Sequence, residues 1–178
     1  MKDLALKYIN RDLYHDNEIA LHILDIDPNY FWLFPSKQKD NSDIAMFAIQ
    51  KDYYLLNYVS RRLKADKDFM MAAVKIDGGT FKMADKSLRK DRELLLTAIK
   101  TDGYAIKYTP RTLRNDPEIA FIAVKTTGYA IICIDDKQLQ QNDELIELAL
   151  KSWPYAIKYA SKEYIEKHKE QYDAIYAM

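Results

Sequence analysis

Two neighbouring stretches, Asp91-Arg-Glu-Leu-Leu-Leu-Thr-Ala-Ile-Lys100 and Asp102-Gly-Tyr-Ala-Ile-Lys-Tyr108, decide the fold, because the chain says them again. Twenty-five positions later come Asp116-Pro-Glu-Ile-Ala-Phe-Ile-Ala-Val-Lys125 and Gly128-Tyr-Ala-Ile131. Upstream the same pattern returns at Asp66, Asn41 and Asp16, and downstream at Asn142 after a slip of one residue near Asp136. Self-similarity at this period is the mark of a stacked repeat. Each unit reads as two short helices. The first opens on an Asp or Asn whose side chain can accept a free amide hydrogen bond, at Asp16, Asn41, Asp66, Asp91, Asp116 and Asn142. An acid two residues further on suits the positive end of the helix dipole. Apolar columns follow at helical spacing, such as Leu94, Ala98 and Ile99, or Ile119, Ala123 and Val124.

The small residues Ala48, Ala73, Ala98, Ala123 and Ala149 share one register and predict close helix–helix contacts. The second helix is expected to start at Asp27, Asp52, Asp77, Asp102, Thr127 or Ser152 and to bury Phe31, Leu56, Phe81, Ile106, Ile131 and Ile157. Helices this short do not hold in water alone, so neighbouring copies must stabilise one another. The expectation is an all-α protein: an α-solenoid of about six two-helix units, one domain over residues 1–178, elongated and curved. A half repeat stands at each end, residues 1–14 and a polar cap at 163–178.

The pattern Asp-x-Glu, apolar run, Ala-h-Lys, x-Asp-Gly-Tyr-Ala-h-x-Tyr resembles a bacterial and algal repeat family catalogued as domain of unknown function 4116. The likeness runs from Met1 to about Lys162 and is tightest between Asp66 and Ile131. It departs at Asn29-Tyr30-Phe31-Trp32, at Gly78-Gly79-Thr80 and at the insertion near Asp136. The resemblance implies a helical fold and implies no activity.

Composition narrows the function. Of 178 residues 48% are hydrophobic and 30% charged, and 27 basic side chains equal 27 acidic ones. A chain of zero formal charge is neither a disordered charged tail nor a strongly basic protein that holds nucleic acid by charge alone. A single cysteine, Cys133, allows no intramolecular disulfide and fits a reducing compartment or a secreted protein that needs no staple; the expected setting is cytoplasmic. The opening Met1-Lys2-Asp3 does not resemble a signal peptide, and no apolar run is long enough to span a membrane.

No catalytic, cofactor or metal site is expected: His15, His22 and His168 lack metal-ligand spacing, and Gly78-Gly79 sits in no phosphate-loop motif. Cys133 falls in the register of Tyr58, Tyr108 and Tyr159 and reads as a core-facing substitution. The tyrosine pairs Tyr54/Tyr58, Tyr104/Tyr108 and Tyr155/Tyr159 admit two readings, an aromatic ladder for a ligand or rings that fill space between helices.

Recognition is expected where the repeat breaks its own rule. Trp32 and Ile132 replace the lysine of the column Lys7, Lys82, Lys107 and Lys158, and Phe47 belongs to a freely varying column on the first helix. These three are the expected protein-binding anchors of a non-catalytic scaffold. The alternatives are a small inhibitor that masks a macromolecular surface, or nucleic-acid binding along a basic ridge. Arg11, Arg61, Lys86 and Arg111 form one column of that ridge, and Lys39, Lys64, Arg89 and Arg114 the other. The same cations also suit helix C-termini close to the capping acids of the next unit. The expected partner is another protein, with no membrane, and end-to-end self-association is open.

Overall fold

A computed structural model describes residues 11–170. Two compact units divide the chain, Met1–Leu88 and Arg89–Met178. Among the described residues every regular element is helical. An α-helix followed by a six-residue 3₁₀-helix occurs six times. In the first unit the pairs are Asn17–Ile26 with Pro28–Leu33, Ser42–Lys51 with Tyr53–Tyr58, and Lys67–Ile76 with Gly78–Met83. In the second they are Arg92–Ala98 with Gly103–Tyr108, Pro117–Thr126 with Gly128–Cys133, and Asp143–Leu150 with Pro154–Tyr159. Residues 1–10 of the expected N-terminal half repeat, Lys7 among them, and residues 171–178 of the expected C-terminal cap lie outside the described residues. So does the side chain of Arg11.

All six expected caps on the α-helices are made. Asp16, Asn41, Asp66, Asp91, Asp116 and Asn142 each accept a backbone N–H from the first turn. Each such cap contributes about 1 kcal/mol. Four of the six α-helices end where the chain turns extended, as at Asp52 with φ −151° and ψ 110°. That same aspartate then accepts the Tyr54 N–H and so opens the 3₁₀-helix. One residue therefore closes one element and starts the next.

Each unit holds the two short helices that the repeat predicts, and the second takes the tighter 3₁₀ form. It is a 3₁₀-helix of two turns, and its exit leads to a separate one-turn helix such as Arg61–Lys64 or Arg111–Arg114. In a 3₁₀-helix side chains three apart eclipse, and Gly103 and Ile106 are both buried on that spacing. The cap positions need a correction. Thr127 makes no side-chain cap bond, and the cap position of the last 3₁₀-helix is Trp153, not Ser152. The one-residue insertion shifts the register, and the Ser152 hydroxyl instead accepts the Gly128 N–H at 2.9 Å.

In each unit α-helices pack on α-helices and 3₁₀-helices line up beside 3₁₀-helices, so the core lies between two layers. Phe31, Leu56, Phe81, Ile106, Ile131 and Ile157 are fully buried, as the repeat predicts. Full burial of a side chain of this size stabilises by about 1.5–3 kcal/mol. The alanine column is equally closed to solvent. In the second unit its reason is visible: a Cβ on Gly103 would stand 2.1 Å from the Ala123 carbonyl oxygen, and one on Gly128 would stand 2.3 Å from that of Ala149. The glycine and the alanine together let a 3₁₀-helix lie against the backbone of the next α-helix.

Candidate functional site

The three expected anchors sit on three different elements. Trp32 lies on the 3₁₀-helix Pro28–Leu33 beside fully buried Phe31, and its own side chain is 55% exposed. Phe47, on the α-helix Ser42–Lys51, is half-buried, and the Lys51 ammonium stands 5.0 Å from its ring centroid. Ile132 belongs to the other unit, half-buried in a surface cavity of about 200 Å³ with Tyr104, Lys107, Arg114, Cys133 and Asp135.

That cavity corrects the reading of Cys133. The thiol is half-buried at a surface hollow instead of facing the core. Burial pushes it up to about 11, which keeps it protonated near neutral pH. The correction follows from the register, since Tyr58 in the same column is 47% exposed.

The basic columns are engaged in holding the fold together. Lys39 donates to the Trp32 carbonyl at 2.6 Å, Lys64 to the Asn57 carbonyl at 2.9 Å and Arg114 to the Thr109 carbonyl at 2.8 Å. Gln140, the same register after the insertion, donates to the Ile131 carbonyl at 3.1 Å. Lys39, Lys64 and Arg114 thus each satisfy a carbonyl at the end of the preceding 3₁₀-helix. Burial lowers the pKa of both Lys39 and Lys64. Arg114 also pairs with Asp135 at 2.8 Å, and Arg111 approaches the same carboxylate at 4.0 Å. Arg61 and Lys86 are exposed, and Arg89 is half-buried.

The paired tyrosines divide between the two readings: Tyr104, Tyr108 and Tyr159 are half-buried, while Tyr54, Tyr58 and Tyr155 turn to solvent. Tyr54, Tyr58, Tyr129 and Tyr155 are all more than two-fifths exposed. In the second unit the rings form a continuous row across three 3₁₀-helices. Tyr104 meets Tyr129 at 5.3 Å between centroids, Tyr129 meets Trp153 edge to face at 5.0 Å, and Trp153 meets Tyr155 at 6.3 Å and Tyr159 at 6.0 Å. Lys107 stands over Tyr104 and Lys158 over Tyr155. Trp153 was not among the expected anchors. Its signal in the sequence was an aromatic residue where Asp27, Asp52, Asp77 and Asp102 cap the other units, and it was hidden by assigning that cap to Ser152.

The model of the family described as a domain of unknown function (DUF4116) matches residues 41–89 and again 91–140. The chain belongs to this family. Two copies of the model each hold two of the 25-residue repeats. Neither a curated protein nor a solved structure matches the chain. Among the described residues no group of His, Cys, Asp and Glu is placed to hold a metal ion, and no helix is long and apolar enough to cross a membrane.

Proposed function

We propose that this DUF4116 protein is a non-catalytic helical-repeat scaffold that binds another protein through aromatic side chains presented by its 3₁₀-helices. The observation that carries the reading is Trp32. Its neighbour Phe31 is fully buried and fixes the short helix, while Trp32 itself is 55% exposed in a column that carries lysine at Lys82, Lys107 and Lys158. A large, rigid, amphipathic ring held on a fixed backbone loses little entropy on binding, which is why tryptophan is enriched at interface hot spots. Phe47 and Ile132 are the secondary anchors of the same reading. Nucleic acid remains the alternative through the exposed Arg61, Lys86 and Arg111.

Affinity capture from the native host, with wild type and Trp32→Ala side by side, tests the proposal. It predicts a partner protein lost with Trp32→Ala while the far-ultraviolet circular dichroism is unchanged. An unchanged partner list would refute the anchor. Binding that collapses with added salt, and with alanine at Arg61, Lys86 and Arg111, would favour nucleic acid instead.

A further inference from the structure

The aromatic row of the second unit has a chemistry of its own. Its three 3₁₀-helices read Gly-Tyr-Ala-Ile-Lys-Tyr, Gly-Tyr-Ala-Ile-Ile-Cys and Pro-Tyr-Ala-Ile-Lys-Tyr, with two lysines and no carboxylate. Asp102, at the edge of the row, is held by the Tyr104 N–H. The lysine ammoniums and the Trp153 indole N–H are donors, the tyrosine hydroxyls can donate or accept, and Asp135, which shares a cavity with Tyr104 and Lys107, is paired with Arg114. The indole N–H of Trp153 and the hydroxyls of Tyr129 and Tyr155 make no hydrogen bond among the described residues, and Lys107 already donates to the Tyr104 hydroxyl at 2.7 Å. That contact leaves the hydroxyl proton of Tyr104 available to a ligand.

A row of aromatic rings edged by donors fits an apolar ligand that offers bare carbonyls. A proline-rich segment in the polyproline II conformation is such a ligand, because proline has no amide proton and the extended backbone leaves each carbonyl open. The lysine pair adds a preference for acidic residues flanking the prolines. Single-stranded nucleic acid fits less well, because bases need open ring faces. Here Trp153 meets Tyr129 at 89°, and lysines stand over Tyr104 and Tyr155.

We infer that the row Tyr104–Tyr129–Trp153–Tyr155 is a docking surface for a proline-rich, acid-flanked segment of a partner protein. The inference rests on the protein-binding reading but not on its Trp32 anchor. The chain has two tryptophans, so Trp32→Phe leaves Trp153 as the sole reporter. In that background a synthetic peptide of roughly ten prolines with glutamates at both ends is titrated while Trp153 fluorescence is followed. The expected result is a saturable change, weakened about tenfold or more by Tyr129→Ala and by Tyr155→Ala, each with unaltered circular dichroism. No saturable change, or a response to oligothymidylate in place of the peptide, would overturn it. If the peptide fails while the Trp32-dependent partner is still captured, the docking inference falls and the protein-binding reading stands.

Discussion

The 3₁₀-helices Gly103–Tyr108 and Tyr53–Tyr58, one from each unit, start differently, and the contrast shows what holds a repeat of this kind together. Gly103, like Gly128 in the same unit, is pressed against a carbonyl, that of Ala123 for Gly103 and of Ala149 for Gly128. Half-buried Tyr53 takes that register in Tyr53–Tyr58, where other repeats carry Pro28, Gly78 or Pro154, and its ring stacks on Tyr54 at 4.3 Å. Where glycine stands, Gly103–Tyr108 lies closely along the following α-helix Pro117–Thr126; where tyrosine stands, Tyr53–Tyr58 has no comparable contact with Lys67–Ile76. The closer approach accompanies the continuous aromatic row, while the first unit displays exposed Trp32, Tyr54 and Tyr58. Close backbone packing and side-chain filling are therefore two solutions at one position of the same repeat.

The sharpest way to break this comparison is Gly103→Ala. With its new Cβ directed at a backbone oxygen, the variant is expected to lose about 3 kcal/mol by chemical denaturation. Tyr53→Ala, at the matching position, is expected to lose only about 1 kcal/mol, the share of a half-buried ring. A Gly103→Ala protein stabilised by about 0.5–1 kcal/mol would show that the site has room and that only chain entropy changes there.

A smaller effect of opposite sign sharpens the contrast in the first unit. Gln38 occupies the register of Leu63, Leu88, Leu113 and Leu139 and is fully buried. Its Nε2 donates to the His15 carbonyl at 2.7 Å and, at the longer distance of 3.3 Å, to Asn17 Oδ1, while its Oε1 is buried with no partner. An orphaned acceptor costs about 1–3 kcal/mol, more than one ordinary hydrogen bond returns. Gln38→Leu is therefore expected to raise stability by about 1 kcal/mol, measured as a shift of the denaturation midpoint at constant slope. A loss of stability would mean that the hydrogen bond to His15 fixes the start of this unit.

Much of this was legible in the primary structure. The period, the six aspartate and asparagine caps, the alanine column and the buried Phe31-to-Ile157 column all follow from spacing, because caps and burial act on local pattern. The 3₁₀ character was not legible. Over six residues a buried pair three apart, such as Gly103 and Ile106, satisfies either helix period, and the extended residues that bound the element decide between them. The exposure of Tyr129 and Tyr155 was hidden for a related reason: Tyr-Ala-Ile recurs in step with the packing residues, so periodicity alone does not tell the ring that leaves the core from the isoleucine that enters it. The basic columns showed their spacing but not their targets, since the carbonyls of Trp32, Asn57 and Thr109 come within reach only when the 3₁₀-helix ends.

The central claim is that these short helices persist only because neighbouring copies cover their apolar faces. Circular dichroism of the isolated peptide of residues 91–115, set beside the full chain in the same buffer, tests it most directly. The account predicts a disordered spectrum for the peptide and a helical, cooperatively melting one for the chain. A peptide that folds into the same helices unaided would contradict it.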